Sequence, residues 1–356
     1  NNEMSAAKTH YEEALQIRRQ LATKNANAYN LDVAMTAINM ALFYEKLLKT
    51  TGDMSLKKAG LDLLQDAEQC LNIYPKDHPR VQQYLSSIEQ TKQFFQGIDE
   101  TSFQWQQQSE RANALEKEIQ TEKDSNKKVL LQTELLQIYR QLADNYSDDY
   151  QPLVSMTLNN LSRLVYANNE LPKAIAYLEE ALQIDRQVAA KPENNYLSGV
   201  ATTLNNLGAL LYANNEMSLA KARYEEALQI NRQLATKNPD TYLPYVARTL
   251  NNLGLLLEDN NELAAAKTYY EEALEIWRQL ATQNPDSYNL DVAVTVINIG
   301  ILYEKLLKTT GDMSLKKAGL DLLQDAEQSL SIYPKDHPTV QQYLPYIERL
   351  KQFFQN

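Results

Sequence analysis

Acidic residues are the first candidates for chemistry. Glu12-Glu13, Glu179-Glu180, Glu225-Glu226 and Glu271-Glu272 suggest paired carboxylates for general acid–base work. Glycoside hydrolysis needs two carboxylates that converge across one substrate. Adjacent helical residues diverge around the axis, so these neighbours do not share a face. A solvated surface is the better reading. The three histidines, His10, His78 and His337, are no richer. His78 and His337 stand beside Asp77 and Asp336 in duplicated KDHP stretches. One His and one Asp fall short of a metal site, and a helix starting at the following proline explains the motif. The single cysteine, Cys70, cannot form an intrachain disulfide and lies in no zinc-type spacing. There is no Gly-rich phosphate loop, GxSxG or Cys/His nucleophile arrangement. No catalytic residue, metal or cofactor is expected, and the chain is read as a non-enzyme.

Asparagine is more informative. Asn39, Asn160, Asn206, Asn252 and Asn298 recur at one place in a repeating pattern, preceded in three units by Asn159, Asn205 and Asn251. A carboxamide has two N–H donors and an acceptor oxygen. A ladder of them can bind an extended peptide backbone without reading its sequence. It can equally bond locally between helices, and both readings stand at this level. One helical turn on, the same face holds Arg163, Tyr166, Tyr212, Arg248 and Glu258. Tyr and Arg are enriched at binding hot spots, although any single one of these residues is more simply explained by a solvated or packed face.

The elements that position these residues are helices. TLNNLSRLVYANNE from Thr157, TLNNLGALLYANNE from Thr203, TLNNLGLLLEDNNE from Thr249 and TVINIGILYEKLLK from Thr295 align without gaps at a constant spacing of 46 residues. A fixed period in this range signals a stacked array. In the second unit Leu204, Leu207, Gly208 and Leu211 fall on one helical face. Asn214-Asn215 then breaks the helix, because Asn tolerates the left-handed conformation. A second helix carries Ala220, Tyr224 and Ala227. In the closing loop Pro239 stops that helix and Asp240 is expected to cap the next. Small residues on the facing stripes let antiparallel helices approach closely. One pair cannot bury both its faces, so the unit must recur.

The run LxxLGxLY, followed by Ala, an aromatic and a further Ala, resembles the tetratricopeptide repeat. Asn206-Leu207-Gly208, Ala220, Tyr224 and Ala227 occupy its signature places, with Ala174 and Ala181 matching in the unit before and Ala266, Tyr270 and Ala273 in the unit after. TLNNLG…YEEALQI is similar to the long-repeat subclass typified by the kinesin light chain, and to bacterial repeat regions. The resemblance covers most of residues 1–50 and 150–335. It implies an all-α fold, a right-handed α-solenoid of antiparallel helix pairs. It also implies that the Asn face of the first helices lines a concave groove that takes a protein or peptide. The chain departs from the family in its longer period and in lacking the proline that closes the second helix.

Residues 1–96 recur at 260–355, with 74 of the 96 positions identical, and LLKTTGDMSLKKAGLDLLQDAEQ at 47–69 returns intact at 306–328. Three regions follow: 1–98, the later part of a first module; 99–150, a bridging helical pair; and 151–356, an array with a terminal capping helix. In the bridge, Leu115 and Ile119 mark one helix, and Leu131, Leu135, Ile138 and Leu142 another. The chain opens with Asn1-Asn2-Glu3, without an initiator methionine and midway through a unit, and reads as a piece of a longer protein. Its first helix, about 3–24, corresponds to the second helix of a unit. The stripe Ala7, Tyr11, Leu15 and Leu21 is therefore expected to stand open and to invite self-association.

Bulk composition fits. Helix-breaking Gly and Pro number 9 and 11, few enough for an almost wholly helical chain. The net charge is −11, with Lys and Arg scattered among acids, which argues against nucleic acid or an anionic membrane surface as partner. No run approaches the length of a membrane span. A single cysteine fits a reducing compartment, and a cytoplasmic location is expected. The expected function is a non-catalytic interaction scaffold. The alternatives are a self-assembly module, or the sensor arm of a signalling protein whose effector domain lies outside this chain.

Overall fold

A computed structural model describes residues 2–191, 196–334 and 336–356. Among the described residues there are fifteen α-helices and no strand. The chain divides into two compact units, Asn1–Ala114 and Leu115–Asn356. The division falls inside α5 (Glu100–Thr121), a helix of the expected bridging pair.

The first unit holds α1 (Asn2–Lys24), α2 (Ala26–Thr51), α3 (Ser55–Leu71), α4 (Pro79–Gly97) and the start of α5. Helices α2, α3 and α4 pack on one another around Leu48, Leu64, Ile88 and Phe95. Helix α1 lies along α2. Leu15 is buried and the Tyr11 ring sits 5.6 Å from that of Phe43. Of the stripe read as open, α2 buries Leu15 and partly covers Ala7, Tyr11 and Leu21, which stay half-buried, because a second helix packs the same face against the first helix that follows it. Ile17 is an exposed large apolar residue of α1.

The second unit continues through α6 (Ser125–Asn145), α7 (Ser147–Ala167), α8 (Leu171–Ala189), α9 (Leu197–Ala213), α10 (Met217–Ala235), α11 (Pro239–Asp259), α12 (Leu263–Gln283), α13 (Pro285–Thr310), α14 (Ser314–Leu330) and α15 (Pro338–Gln355). The tightest pairings are α7 with α8, α9 with α10, α11 with α12 and α13 with α14, and each pair packs on the next. One core runs from Val165 to Phe354.

The breaks are chemical. Asn169, Asn215 and Asn261 turn the chain between paired helices with φ of 65°, 62° and 61°, the left-handed region that Asn tolerates best after Gly. Asp124 caps α6 by accepting from the Lys127 N–H at 2.8 Å. At α11 the cap is Asn238, not Asp240. Pro239 occupies the first helical position, and the Asn238 side chain accepts from the Thr241 N–H at 3.3 Å. Proline is pre-organised for that position and needs no donor there, which places the cap one residue before it. Helices α4 and α15 start at Pro79 and Pro338, with His78 and His337 at their caps.

Close approach within pairs depends on glycine. A Cβ on Gly254 would lie 2.6 Å from the buried Tyr270 ring, and one on Gly208 2.8 Å from Tyr224. Successive pairs meet unequally. First helices touch directly, α7 on α9, α9 on α11 and α11 on α13. Second helices reach one another through long side chains: Arg186 to Glu226 at 2.6 Å, Arg232 to Glu272 at 2.6 Å, and Arg278 to Asp325. Within this unit the stack therefore closes up on the first-helix side.

Candidate protein-interaction groove

The first-helix side carries a cavity of about 660 Å³ across α7, α9 and the start of α11. Five sequence-predicted residues meet there: Asn159, Asn160, Arg163, Tyr166 and Asn206. Arg163 and Tyr166 are exposed, and the two α7 asparagines are half-buried. Tyr196, Tyr242, Tyr245 and Met156 add apolar surface, and Thr203, Asp185 and Asn231 lie beneath. A rigid aromatic wall with a few polar groups has the composition of a recognition site.

The asparagines form a ladder between pairs. Asn206 donates through Nδ2 to Asn159 Oδ1 at 2.9 Å, Asn252 to Asn205 Oδ1 at 3.2 Å, and Asn298 to Asn251 Oδ1 at 3.3 Å. The second Asn of one unit thus bonds the first Asn of the unit before. Asn159 also donates to Thr203 Oγ1 at 2.8 Å, and Asn205 Oδ1 accepts from Thr249 Oγ1 at 3.3 Å. Asn206, Asn252 and Asn298 each keep one further N–H, since a carboxamide nitrogen has two, whereas Asn159 spends both, on Ser155 O and Thr203 Oγ1.

The other predicted residues lie elsewhere. Asn205 and Arg248 line a small crevice with Asn206 and Tyr245, and the Arg248 guanidinium sits 5.6 Å from the Tyr245 ring centre. Asn251, Asn252 and Asn298 extend the ladder past the cavity. Tyr212 donates to Asp259. Glu258 is buried, accepting from Tyr270 Oη at 3.1 Å and pairing with Lys305 at 2.6 Å. These two belong to a polar cluster joining α9, α11, α12 and α13 rather than to the cavity. Asn39 is exposed on α2 in the first unit.

Sequence reasoning passed over two rows. Tyr150, Tyr196, Tyr242 and Tyr288 share the 46-residue spacing, and the middle two wall the cavity. Thr157, Thr203, Thr249 and Thr295 are each buried, although they open the very segments that reveal the repeat. Their spacing was the available signal. Asp185 and Asn231, also one period apart and also buried, are hidden by standing in second helices.

Burial governs the electrostatics. Asp185 is fully buried, and desolvation pushes its carboxyl above the usual range, against the hydrogen bond from Thr203, while the Ser155 hydroxyl donates to the Ala181 carbonyl at 3.4 Å. Thr203 Oγ1 donates to Asp185 Oδ2 at 2.6 Å. Burial, together with the Asp185 charge, pushes the Tyr196 phenol up to about 12. Desolvation likewise raises Asp291, with Arg248 pulling the other way. Among the described residues no group of three or more His, Cys, Asp or Glu could hold a metal ion, and no helix is long and apolar enough to cross a membrane.

Sequence models of the tetratricopeptide repeat match residues 154–192 and 199–279. No curated protein matches the sequence. Among solved structures, BtubC from P. vanneervenii is similar at 18% identity and a TM-score of 0.44, over 66% of this chain and 94% of that one. Putative kinesin light chain TPR-like repeats from Podospora anserina give 17%, 0.41, 56% and 86%. A signal-transduction ATPase with a tetratricopeptide-repeat sensor from Pyrococcus horikoshii gives 12%, 0.48, 99% and 50%. The matched repeats run from within α7 to within α12 and carry most of the residues that line the cavity, with Tyr196 and Ser198 in the stretch between the two matches: this part of the chain is built of tetratricopeptide repeats.

Proposed function

We propose that the chain is a non-catalytic scaffold whose first-helix face takes an extended peptide or partner helix, with the main anchoring place in the cavity across α7, α9 and α11. The observation that carries this reading is the exposure of Tyr166 at 44% and Tyr245 at 38% on opposite sides of that cavity. Large side chains that leave water on binding anchor interfaces. Arg163 stands beside them, and the spare ladder N–H groups of Asn206 and Asn252 offer backbone contacts along the groove. Tyr212 and Glu258 serve the scaffold by fixing neighbouring units. Asn39 would take the corresponding role on the first unit.

The test uses the full chain and peptides selected against it from a random library. Replacing Tyr166 and Tyr245 together with Ala should weaken the selected peptides at least tenfold, about 1.4 kcal/mol, with helicity and melting unchanged. Undiminished affinity in the double variant would place binding elsewhere.

A further inference from the structure

The ladder and the threonine row repeat faithfully, but one position beneath them does not. Arg18, Asp185, Asn231 and Trp277 are equivalent residues, three spaced by 46 and the fourth related through the duplication. Each sits on a second helix, and the first three bond the threonine of the following first helix. Arg18 donates to Thr36, Thr203 donates to Asp185, and Asn231 donates to Thr249 Oγ1 at 3.5 Å. Trp277, 3% exposed, stacks near Tyr288 with ring centres 5.8 Å apart. A constant frame thus holds four chemically different side chains. Two of them, Asp185 and Asn231, line the cavity.

Asp185 is anomalous. It is 0% exposed. Its Oδ2 accepts from Thr203, while among the described residues no group donates to Oδ1. A buried carboxylate oxygen without a donor is costly. Asn in the next unit shows that the frame accepts the neutral isostere. The other charged residue among those described as lining the cavity is Arg163, which is exposed. Tyr196, Tyr242 and Tyr245 supply ring surface, which suits a cation both by packing and through the negative faces of the rings.

We infer that Asp185 is a specificity-determining residue: the cavity takes a ligand side chain ending in an ammonium or guanidinium, whose N–H donates to Asp185 Oδ1 while its aliphatic stem lies against the tyrosines. Asn231 continues the floor and offers the same ligand a neutral amide contact. This rests on the first-helix face being the binding face, and it adds the chemistry that face selects.

The experiment titrates butylguanidinium into the full chain, with N-butylurea as the neutral match, and follows the amide resonances of Gly199 and Thr203. Saturable shifts with butylguanidinium, at least fivefold tighter than with N-butylurea, are expected. Asp185→Asn should abolish the preference without loss of melting temperature, and Asn231→Asp should add to it. Equal response to the two probes, or a preference that survives Asp185→Asn, overturns the inference. A parallel library selection separates the two readings. Peptides from the parent should be rich in Arg or Lys and those from Asp185→Asn should not. Peptides without that enrichment would refute the role of Asp185 and leave the groove standing. A library that yields no peptide would refute the groove, and the probe titration would still decide the Asp185 site.

Discussion

Asn206 and Asn159 are hydrogen-bonded at 2.9 Å across 47 residues, one repeat and one position apart. The same bond returns between Asn252 and Asn205 and between Asn298 and Asn251. A row that the sequence offered equally to ligand or scaffold therefore spends one N–H per rung on joining helix pairs.

Stability should register that bond. Replacing Asn206 and Asn252 together with Ala removes two half-buried donors and leaves Asn159 and Asn205 short of a partner. The expected cost is about 1 kcal/mol per rung, read from urea unfolding of the double variant. An unchanged midpoint with lost peptide binding would give the amides to the ligand instead.

Glycine at the pair interface should be irreplaceable. A Cβ at Gly254 meets the Tyr270 ring at 2.6 Å, and that ring is 0% exposed with no room to retreat. Gly254→Ala should destabilise by about 1–3 kcal/mol through overpacking. Gly97 closes α4, and a Cβ there would meet nothing within 4 Å. Gly97→Ala should be neutral or stabilising by up to about 1 kcal/mol. Thermal melts of the two variants beside the parent check this, and similar losses at the two sites would contradict the packing.

The arginine row between second helices should contribute little, and only at low salt. Arg232 holds Glu272 with two bonds, at 2.6 and 2.7 Å, but their side chains are 50% and 39% exposed. Arg232→Gln is expected to cost about 0.5 kcal/mol, vanishing at 1 M salt, where screening acts over about 3 Å. A cost that persists in high salt would mean the guanidinium acts through packing.

Glu304 supplies a pH dependence. Burial alone would raise its carboxyl, but hydrogen bonds from Lys308 and Arg349 outweigh this and hold it below the usual range. A depressed folded value favours the ionised form. Its stabilisation is complete above the unfolded value and is lost as pH falls through the folded one. Glu304→Gln should cost about 1–2 kcal/mol at pH 7, the lower part of the range for charged hydrogen bonds, because both cations are half-exposed. The gap to the parent should close in acid. Melting curves at pH 7 and pH 3 decide it, and a constant gap would refute the assignment.

The sequence by itself determined the helices, their pairing and the duplication. Apolar periodicity, Asn215 and its equivalents at the turns, and Gly208 facing Tyr224 are local or short-range signals, and each recurs at a fixed spacing. The face to which Asn160, Arg163 and Tyr166 belong was legible for the same reason, because one helical period fixes it. Tertiary structure decided what each side chain meets across pairs. It turned Glu258 into a buried partner of Lys305, buried Leu15 and half-covered Tyr11 against α2, and placed Asp185 under a cavity walled by Tyr196 and Tyr245. Those contacts join residues on different helices, and no periodicity along one helix encodes which neighbour will cover it. That depends on how successive pairs are packed, which only the folded chain specifies.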